Sequence, residues 1–276
     1  MTNQEIPRHD MPAMFGPSLM PEVSIVPEIH AAVVSWETDR QAAAALIPAY
    51  FDIAEKAVVS LSRMTYRGVD YLGGRDYHEL ILSINAVYDC AGVRIEAPYM
   101  PVLWVSEVYA IVAGREYMGY AKIHGDLPEV KSGDGSCAFE CFEYGTRLLG
   151  AELSDLRPLS TDAMARVRKS MEDVSALGWK YIPGPGGTID ADYPTELINH
   201  FDYREGWTGE GRVILETPSW KEAPFSSRIL SAMAKLPIRE YRRAFMGIGS
   251  CRVDRAATRR LAKPDGRQSG LNVRAM

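Results

Sequence analysis

Apolar runs rich in β-branched and aromatic residues alternate with polar, Gly-containing breaks along most of the chain. Such runs are typical of β-strands, because side chains of this shape pack well on a pleated surface. The breaks mark the turns between the strands. The predicted strands span residues 23–36, 57–66, 77–88, 101–113, 116–123, 139–153 (a strand pair), 176–183, 194–207 and 211–218.

Helical signals are scarce. Asp39 can cap a short helix over residues 40–51. A second helix is predicted over residues 160–174, where charges lie on one side and Ser160 or Thr161 is available as the cap. Many strands and few helices predict a barrel or a curled antiparallel sheet with the helices packed outside it.

The two ends of the chain lack the strand pattern. Residues 1–22 are rich in Pro and Met and are expected to form an arm that lies over another surface, such as that of a neighbouring subunit. Residues 251–276 are basic and polar, and we expect a solvated or frayed tail there. Residues 23–250 are predicted to form a single domain.

Composition excludes several classes of protein. The chain has 276 residues, of which 46% are hydrophobic, and this suffices for a sizeable core. A net charge of -5 argues against a nucleic-acid binder or a polybasic membrane module. The sequence shows no signal-peptide h-region and no apolar run of transmembrane length, so a cytoplasmic protein with four reduced cysteines is expected. Neither zinc-like ligand spacing nor a P-loop is present, and we expect no metal or cofactor.

Lys122 lies in a stretch that otherwise resembles a buried strand. Side chains alternate across a strand, so Met118, Tyr120 and Lys122 would share one face. A lysine near a strand end that reaches water is one structural explanation, and a buried ion pair is another. A chemical explanation is also open. Burial lowers the pKa of a lysine amine, and an unprotonated amine attacks a carbonyl to form a Schiff base.

The residues around Lys122 resemble the segment of acetoacetate decarboxylases that carries their Schiff-base lysine. The similar residues in this segment are Gly114-Arg115-Glu116, Tyr120 and Lys122. Other similar elements occur in the family's order, and together they cover about residues 23–245. These elements are Thr38-Asp39 with Pro48, Tyr77-His78-Glu79, Glu196-Leu197-Ile198 and Trp207-Thr208-Gly209.

The resemblance implies a fold and a site. The implied fold is α+β, with a curled, mainly antiparallel β-sheet that closes into a cone or barrel and a few peripheral helices. The implied site has Lys122 pointing into the interior as the Schiff-base residue, with Glu79 beside it and Tyr120 as a proton carrier. The resemblance also implies that the subunits form homo-oligomers.

The chain departs from the family pattern at several positions. Ile123 stands where familiar decarboxylases have a second lysine, so desolvation alone would have to lower the pKa of Lys122. The first predicted strand lacks the arginine that helps to handle the substrate carboxylate, and a second acidic residue has no clear counterpart.

These departures favour a Schiff-base lyase of the aldolase-dehydratase or hydratase type, acting on a small oxo acid. Acetoacetate or β-keto acid decarboxylation is an alternative that uses the same iminium. A barrel that binds a small ligand without catalysis is another, with Lys122 as a salt-bridge partner. No nucleic acid or membrane partner is expected.

Overall fold

The computed structural model of the chain describes residues 9–264, 266 and 269–271. These residues form one thirteen-stranded sheet and four short α-helices. The strands are β1 (Val23–Glu37), β2 (Asp52–Ile53), β3 (Val58–Val69), β4 (Arg75–Cys90), β5 (Val93–Val105), β6 (Lys122–His124), β7 (Lys131–Gly133), β8 (Ser136–Glu143), β9 (Thr146–Pro158), β10 (Val174–Pro183), β11 (Ile189–Leu215), β12 (Glu240–Tyr241) and β13 (Ala244–Arg260). The helices are α1 (Arg40–Ala44), α2 (Val108–Ala113), α3 (Thr161–Ser170) and α4 (Ser227–Met233). None of the described helices is long and apolar enough to cross a membrane.

Seven strands close into a ring. Their order is β10-β5-β4-β3-β1-β13-β11, and β10 also pairs with β11, which returns the order to its start. Strands β9, β8 and β7 continue the sheet outward from β11. Most pairs are antiparallel, while β5 pairs in parallel with β10 and with β6. The predicted fold class, an α+β protein with a curled, mainly antiparallel sheet and few helices, is confirmed.

Alternation along the ring strands sorts the apolar side chains into two cores. Leu61, Leu80 and Leu82 face outward and are buried in a core that also contains Ala43 of α1 and Leu230 of α4. The other core lies inside the ring. Its members include Met64, Tyr66, Tyr77, Leu103, Met118, Tyr120, Ala176 and Tyr203. Helices α1 and α4 therefore cover the outer face, whereas α2 and α3 contribute Ala110 and Met164 to the apolar interior.

Two predicted strands are wrong in part. The strand predicted for residues 101–113 ends at Val105, and α2 follows. The strand predicted for residues 116–123 is mostly a π-helical turn, Gly114–Met118, and β6 begins only at Lys122. The chain thus leaves the sheet between β5 and β6 and returns to it at the lysine.

The helical period of α2 explains the first of these errors. Ala110 and Ala113, three residues apart, are buried, whereas Val108 is exposed. The Glu107 side chain accepts a hydrogen bond from the Tyr109 backbone N–H and so caps the first turn. Of the β-branched residues that suggested a strand, Val108 and Val112 lie on the exposed side of this helix.

The other predicted elements differ mainly in length. Asp39 caps α1 as predicted, by accepting hydrogen bonds from the next turn, but the helix ends at Ala44 rather than reaching residue 51. Ser160 caps α3, which ends at Ser170. The last two predicted strands are one continuous strand, β11.

The predicted tail over residues 251–276 is wrong as far as residue 260. Strand β13 continues through this stretch because β1 pairs with it as far as Asp254 and β11 as far as Arg260, with Cys251 opposite Val26 of β1 and Phe201 of β11. Residues 9–22 contain only a short 3₁₀ turn, Ala13–Phe15. Predictions for residues 1–8, 265, 267, 268 and 272–276 lie outside the described residues.

The outer core should dominate the stability of the ring. Leu82 is fully buried, so Leu82→Ala should lower the free energy of unfolding by about 2–5 kcal/mol, through lost burial and the cavity left behind. Urea denaturation measures this change. Leu19 is 97% exposed, and Leu19→Ala is the matched control that should change stability by less than about 0.5 kcal/mol. Equal effects of the two substitutions would contradict the assignment of this core.

Candidate active site

The interior of the ring contains a cavity of about 310 Å³. All seven ring strands contribute to its wall, which is mostly apolar and aromatic. Among the described residues that line it, the charged side chains are Glu79, Lys122 and Arg255. A concave, mainly apolar pocket with a few polar groups is the usual form of a small-molecule site.

Lys122 and Glu79 form an ion pair inside this cavity. The Lys122 Nζ lies 2.5 Å from the Glu79 Oε1, and the two side chains are only 5% and 4% exposed. The Tyr66 hydroxyl donates a hydrogen bond of 3.3 Å to the other carboxylate oxygen of Glu79. The amine is therefore held in one position beside a group that can accept or return a proton.

Two glycines make room for this arrangement. A Cβ atom on Gly114 would lie 2.5 Å from Cδ of Lys122, so only glycine lets the lysine side chain pass. Gly119 ends the π-helical turn. Its φ is +77°, and it packs against the backbone of Lys180. The Arg115 guanidinium then donates to the Lys122 carbonyl at 3.1 Å. These contacts explain the glycine and the arginine of the segment that precedes the lysine.

Aromatic side chains surround the amine. The Lys122 Nζ lies 5.9 Å from the centroid of the Tyr77 ring and 5.7 Å from that of Tyr120, both within the range of cation–π attraction. Tyr77 in turn stacks on Tyr66, with 4.7 Å between the centroids. Desolvation raises the pKa of all three phenols, so each keeps its proton at neutral pH.

The structure brings Lys122, Glu79 and Tyr120 together, as the sequence predicted. The feature that points Tyr120 into the cavity differs from the predicted one. Tyr120 lies before β6, so the turn after Gly114 directs it inward and strand alternation does not. The Asn199 amide donates to the Tyr120 hydroxyl at 3.3 Å. The catalytic roles of the three residues stay predictions.

Arg255 is a cavity residue that the sequence interpretation missed. It is 7% exposed, and its guanidinium donates to the Ser24 Oγ at 2.6 Å and to the Pro21 carbonyl at 2.7 Å. The guanidinium carbon also lies 5.0 Å from the centroid of the Tyr71 ring. One signal was available, because Cys251, Val253 and Arg255 follow the period of a strand; the basic composition around them masked it.

The fold and the site together define a closed β-sheet protein with a lysine held in a ligand-sized cavity. A family model described as acetoacetate decarboxylase (ADC) matches residues 10–258. The chain belongs to the acetoacetate decarboxylase family. A search of curated protein sequences finds no match.

Solved structures share this fold at low sequence identity. An acetoacetate decarboxylase aligns with a TM-score of 0.72 and 16% identity, over 90% of this chain and 93% of that chain. An acetoacetate decarboxylase-like enzyme from Sphingomonas wittichii aligns with a TM-score of 0.67 and 17% identity, over 90% and 96% of the two chains. MppR, an enduracididine biosynthesis enzyme solved with pyruvate, aligns with a TM-score of 0.68 and 14% identity, over 90% of this chain and 93% of that chain. At these identities the similarity shows the fold.

The ion pair predicts a specific pattern of stability. Lys122→Met leaves the Glu79 carboxylate buried without its cation, which should lower the free energy of unfolding by about 3–5 kcal/mol at neutral pH. The double variant Lys122→Met/Glu79→Gln should recover much of this loss, because no unpaired charge remains. Urea denaturation of the three proteins measures both effects.

The surface pair of Lys131 and Glu140 supplies the control. Their charged atoms are 3.3 Å apart, but the Lys131 side chain is 78% exposed. Lys131→Met should therefore cost at most about 1 kcal/mol. A Lys122→Met protein as stable as the double variant would show that the buried pair does not form in solution.

Proposed function

We propose that this protein is a Schiff-base lyase that acts on a small 2-oxo acid, with Lys122 as the nucleophile. The observation that carries the proposal is the Lys122 amine, buried in a ligand-sized cavity and held 2.5 Å from a carboxylate. Family membership supports lyase chemistry in general. The steps below follow from the position of each group.

Glu79 is placed to move the protons of Schiff-base formation. It takes a proton from the Lys122 ammonium, and the free amine adds to the ketone carbon of the oxo acid. Return of a proton to the carbinolamine hydroxyl releases water and leaves the iminium. Loss of a proton from the adjacent carbon then gives the enamine, which is a carbon nucleophile. Each transfer needs a base or acid within hydrogen-bond reach. Glu79 lies within that reach of the amine, on which the carbinolamine and the iminium form.

Tyr120 is the second candidate proton carrier. Its hydroxyl keeps its proton because burial raises its pKa, and the Asn199 amide fixes its orientation. Addition of the enamine to an aldehyde creates an alkoxide that must gain a proton, and loss of water from the aldol must remove a hydroxyl. A neutral phenol can donate in the first step. It can donate again in the second step after it regains the proton that the carbon next to the iminium loses during dehydration. Packing of the cavity wall is the alternative role for this side chain.

Condensation suits this cavity better than decarboxylation. Ile123, which stands in place of the second lysine, packs against the outer core, and the neighbour of the amine is a carboxylate. At about 310 Å³ the cavity exceeds what a three-carbon oxo acid occupies, so a second reactant has space. Arg255 gives the wall a cation that can pair with the carboxylate of the oxo acid.

One structural neighbour supports the same choice of chemistry. MppR has also been solved with the condensation product of pyruvate and imidazole 4-carboxaldehyde, in a structure that aligns with a TM-score of 0.61 and 13% identity. Decarboxylation of a β-keto acid is the second candidate. It uses the same iminium, and the family description favours it.

Covalent trapping tests the proposed nucleophile. Borohydride added in the presence of pyruvate should reduce the iminium and leave a stable adduct on Lys122, which peptide mass spectrometry locates. Lys122→Met should abolish the adduct, and Lys131→Met should retain it, because that amine is exposed and remote from the cavity. An unmodified Lys122 with every small oxo acid tried would favour a ring that binds a ligand without catalysis.

A paired assay tests the reaction type. Pyruvate with an aldehyde should give an α,β-unsaturated oxo acid, followed by its ultraviolet absorbance, whereas release of carbon dioxide from acetoacetate should be slow or absent. The physical reason is that Ile123 stands where decarboxylases of the family have a second lysine. In those enzymes the second cation would favour the free amine of the Schiff-base lysine. Rapid release of carbon dioxide would instead identify the second candidate as the function.

A further inference from the structure

The cavity wall changes in character along β3 and β4. At one end lie Tyr66, Tyr77 and Glu79, and these are buried. Farther along the same two strands, four of the side chains that line the cavity are neutral and polar, and the apolar Ile81 lies among them. This second group, which we call the polar wall, consists of Ser60, Ser62, Ser83 and Asn85.

Strand pairing brings the members of the polar wall close to one another. Ser60 lies directly opposite Ser83 in the β3–β4 register, and Ser62 lies opposite Ile81. Asn85 is two residues beyond Ser83 and therefore on the same face of β4. Cross-strand neighbours on one face lie within about 5.5 Å at their Cβ atoms, so a single ligand can contact several of these groups.

The polar wall begins near the lysine and leads away from it. A strand rises about 3.3 Å per residue, so Ser62 lies about 7 Å and Ser83 about 13 Å from Glu79 along the strand direction. Exposure rises over the same path, from 3% at Glu79 to half-buried side chains at Ser83 and Asn85. The polar wall is thus the part of the site that a second reactant meets beyond the Schiff base.

The hydrogen-bonding groups of this wall are largely available to a ligand. Ser60 Oγ lies 2.8 Å from Ser35 Oγ, and this hydrogen bond uses part of the hydrogen-bonding capacity of Ser60. Within the described residues, the side chains of Ser62, Ser83 and Asn85 make no hydrogen bond to the protein. Each hydroxyl and amide both donates and accepts, which is the pattern that matches alcohols.

The distribution of charge selects between neutral and ionic ligands. The charged lining residues of the described chain are Glu79, Lys122 and Arg255, and none belongs to the polar wall. An ionic group placed against the wall would lose hydration without gaining a counter-charge, which is costly in a partly buried site. A neutral group with hydroxyls would exchange its bonds to water for bonds to the wall.

We propose that the polar wall binds the second substrate, and that this substrate is a short, uncharged, hydroxyl-bearing aldehyde. This inference rests on the proposed function, because it places the oxo acid at Lys122 and the aldehyde between Lys122 and Ser83. The aldehyde carbon then meets the enamine, and the hydroxylated end contacts the hydroxyls of Ser62 and Ser83. The wall therefore determines specificity and takes no part in the bond-making steps.

A comparison of two aldehydes of equal carbon number tests this inference. Erythrose and butanal have the same chain length, but only erythrose carries hydroxyls beyond the aldehyde. With pyruvate as the partner, the wild-type protein should show a higher kcat/KM for erythrose than for butanal. In Ser62→Ala/Ser83→Ala, the ratio of the two kcat/KM values should fall by about 10- to 100-fold, at roughly tenfold per lost hydrogen bond.

Controls separate this inference from folding and from the proposed function. Ser132→Ala, on an exposed position of β7, should leave the ratio unchanged. The single variant Ser62→Ala, with stability checked by urea denaturation, tests the wall if the double variant folds poorly. A wild-type preference for butanal, or an unchanged ratio in the wall variants, would overturn the inference while trapping on Lys122 still succeeded. Failure of trapping in the wild-type protein would instead remove the proposed function itself.

Discussion

The ion pair between Lys122 and Glu79 is the interaction on which the rest of the site depends. Removing two charges from water costs several kcal/mol per ion, and their attraction offsets this only when the geometry is close and the remaining hydrogen bonds are made. The 2.5 Å separation meets the first condition. The hydrogen bond from Tyr66 satisfies the second carboxylate oxygen, and the Tyr77 and Tyr120 rings lie within cation–π range of the ammonium. The sheet order makes this possible, because β4, which carries Glu79, pairs with β5, and β5 pairs with β6 at the lysine.

Much of the fold could be predicted from local signals. Long strands such as β3 and β4 are predictable from their content of β-branched and aromatic residues. The caps Asp39 and Ser160 are predictable because capping depends on only a few neighbouring residues. Closure of the ring could not be predicted in this way. It depends on β10, which forms a hairpin with β11, pairing also with β5, and a contact so distant in sequence leaves no periodic trace.

The site was predictable to a different degree at each residue. Lys122 stood out because an ammonium group is unusual among apolar and aromatic residues, and the resemblance drew attention to Glu79. Arg255 was hidden, because a buried arginine within a basic stretch looks like a solvated one until the strand on either side is known. Tertiary pairing, rather than local propensity, decides which charges enter the cavity.

Closure of the ring also bears on how the protein avoids unwanted association. A free sheet edge presents unpaired backbone groups that can capture a strand from another molecule, and a closed ring removes such edges from its seven strands. The sheet leaves the ring through β9 and β8 and stops at β7, which has only three residues, all exposed, and begins with Lys131. A short, charged, glycine-ended strand is a poor template for edge-to-edge pairing, so the geometry that encloses the lysine also limits aggregation.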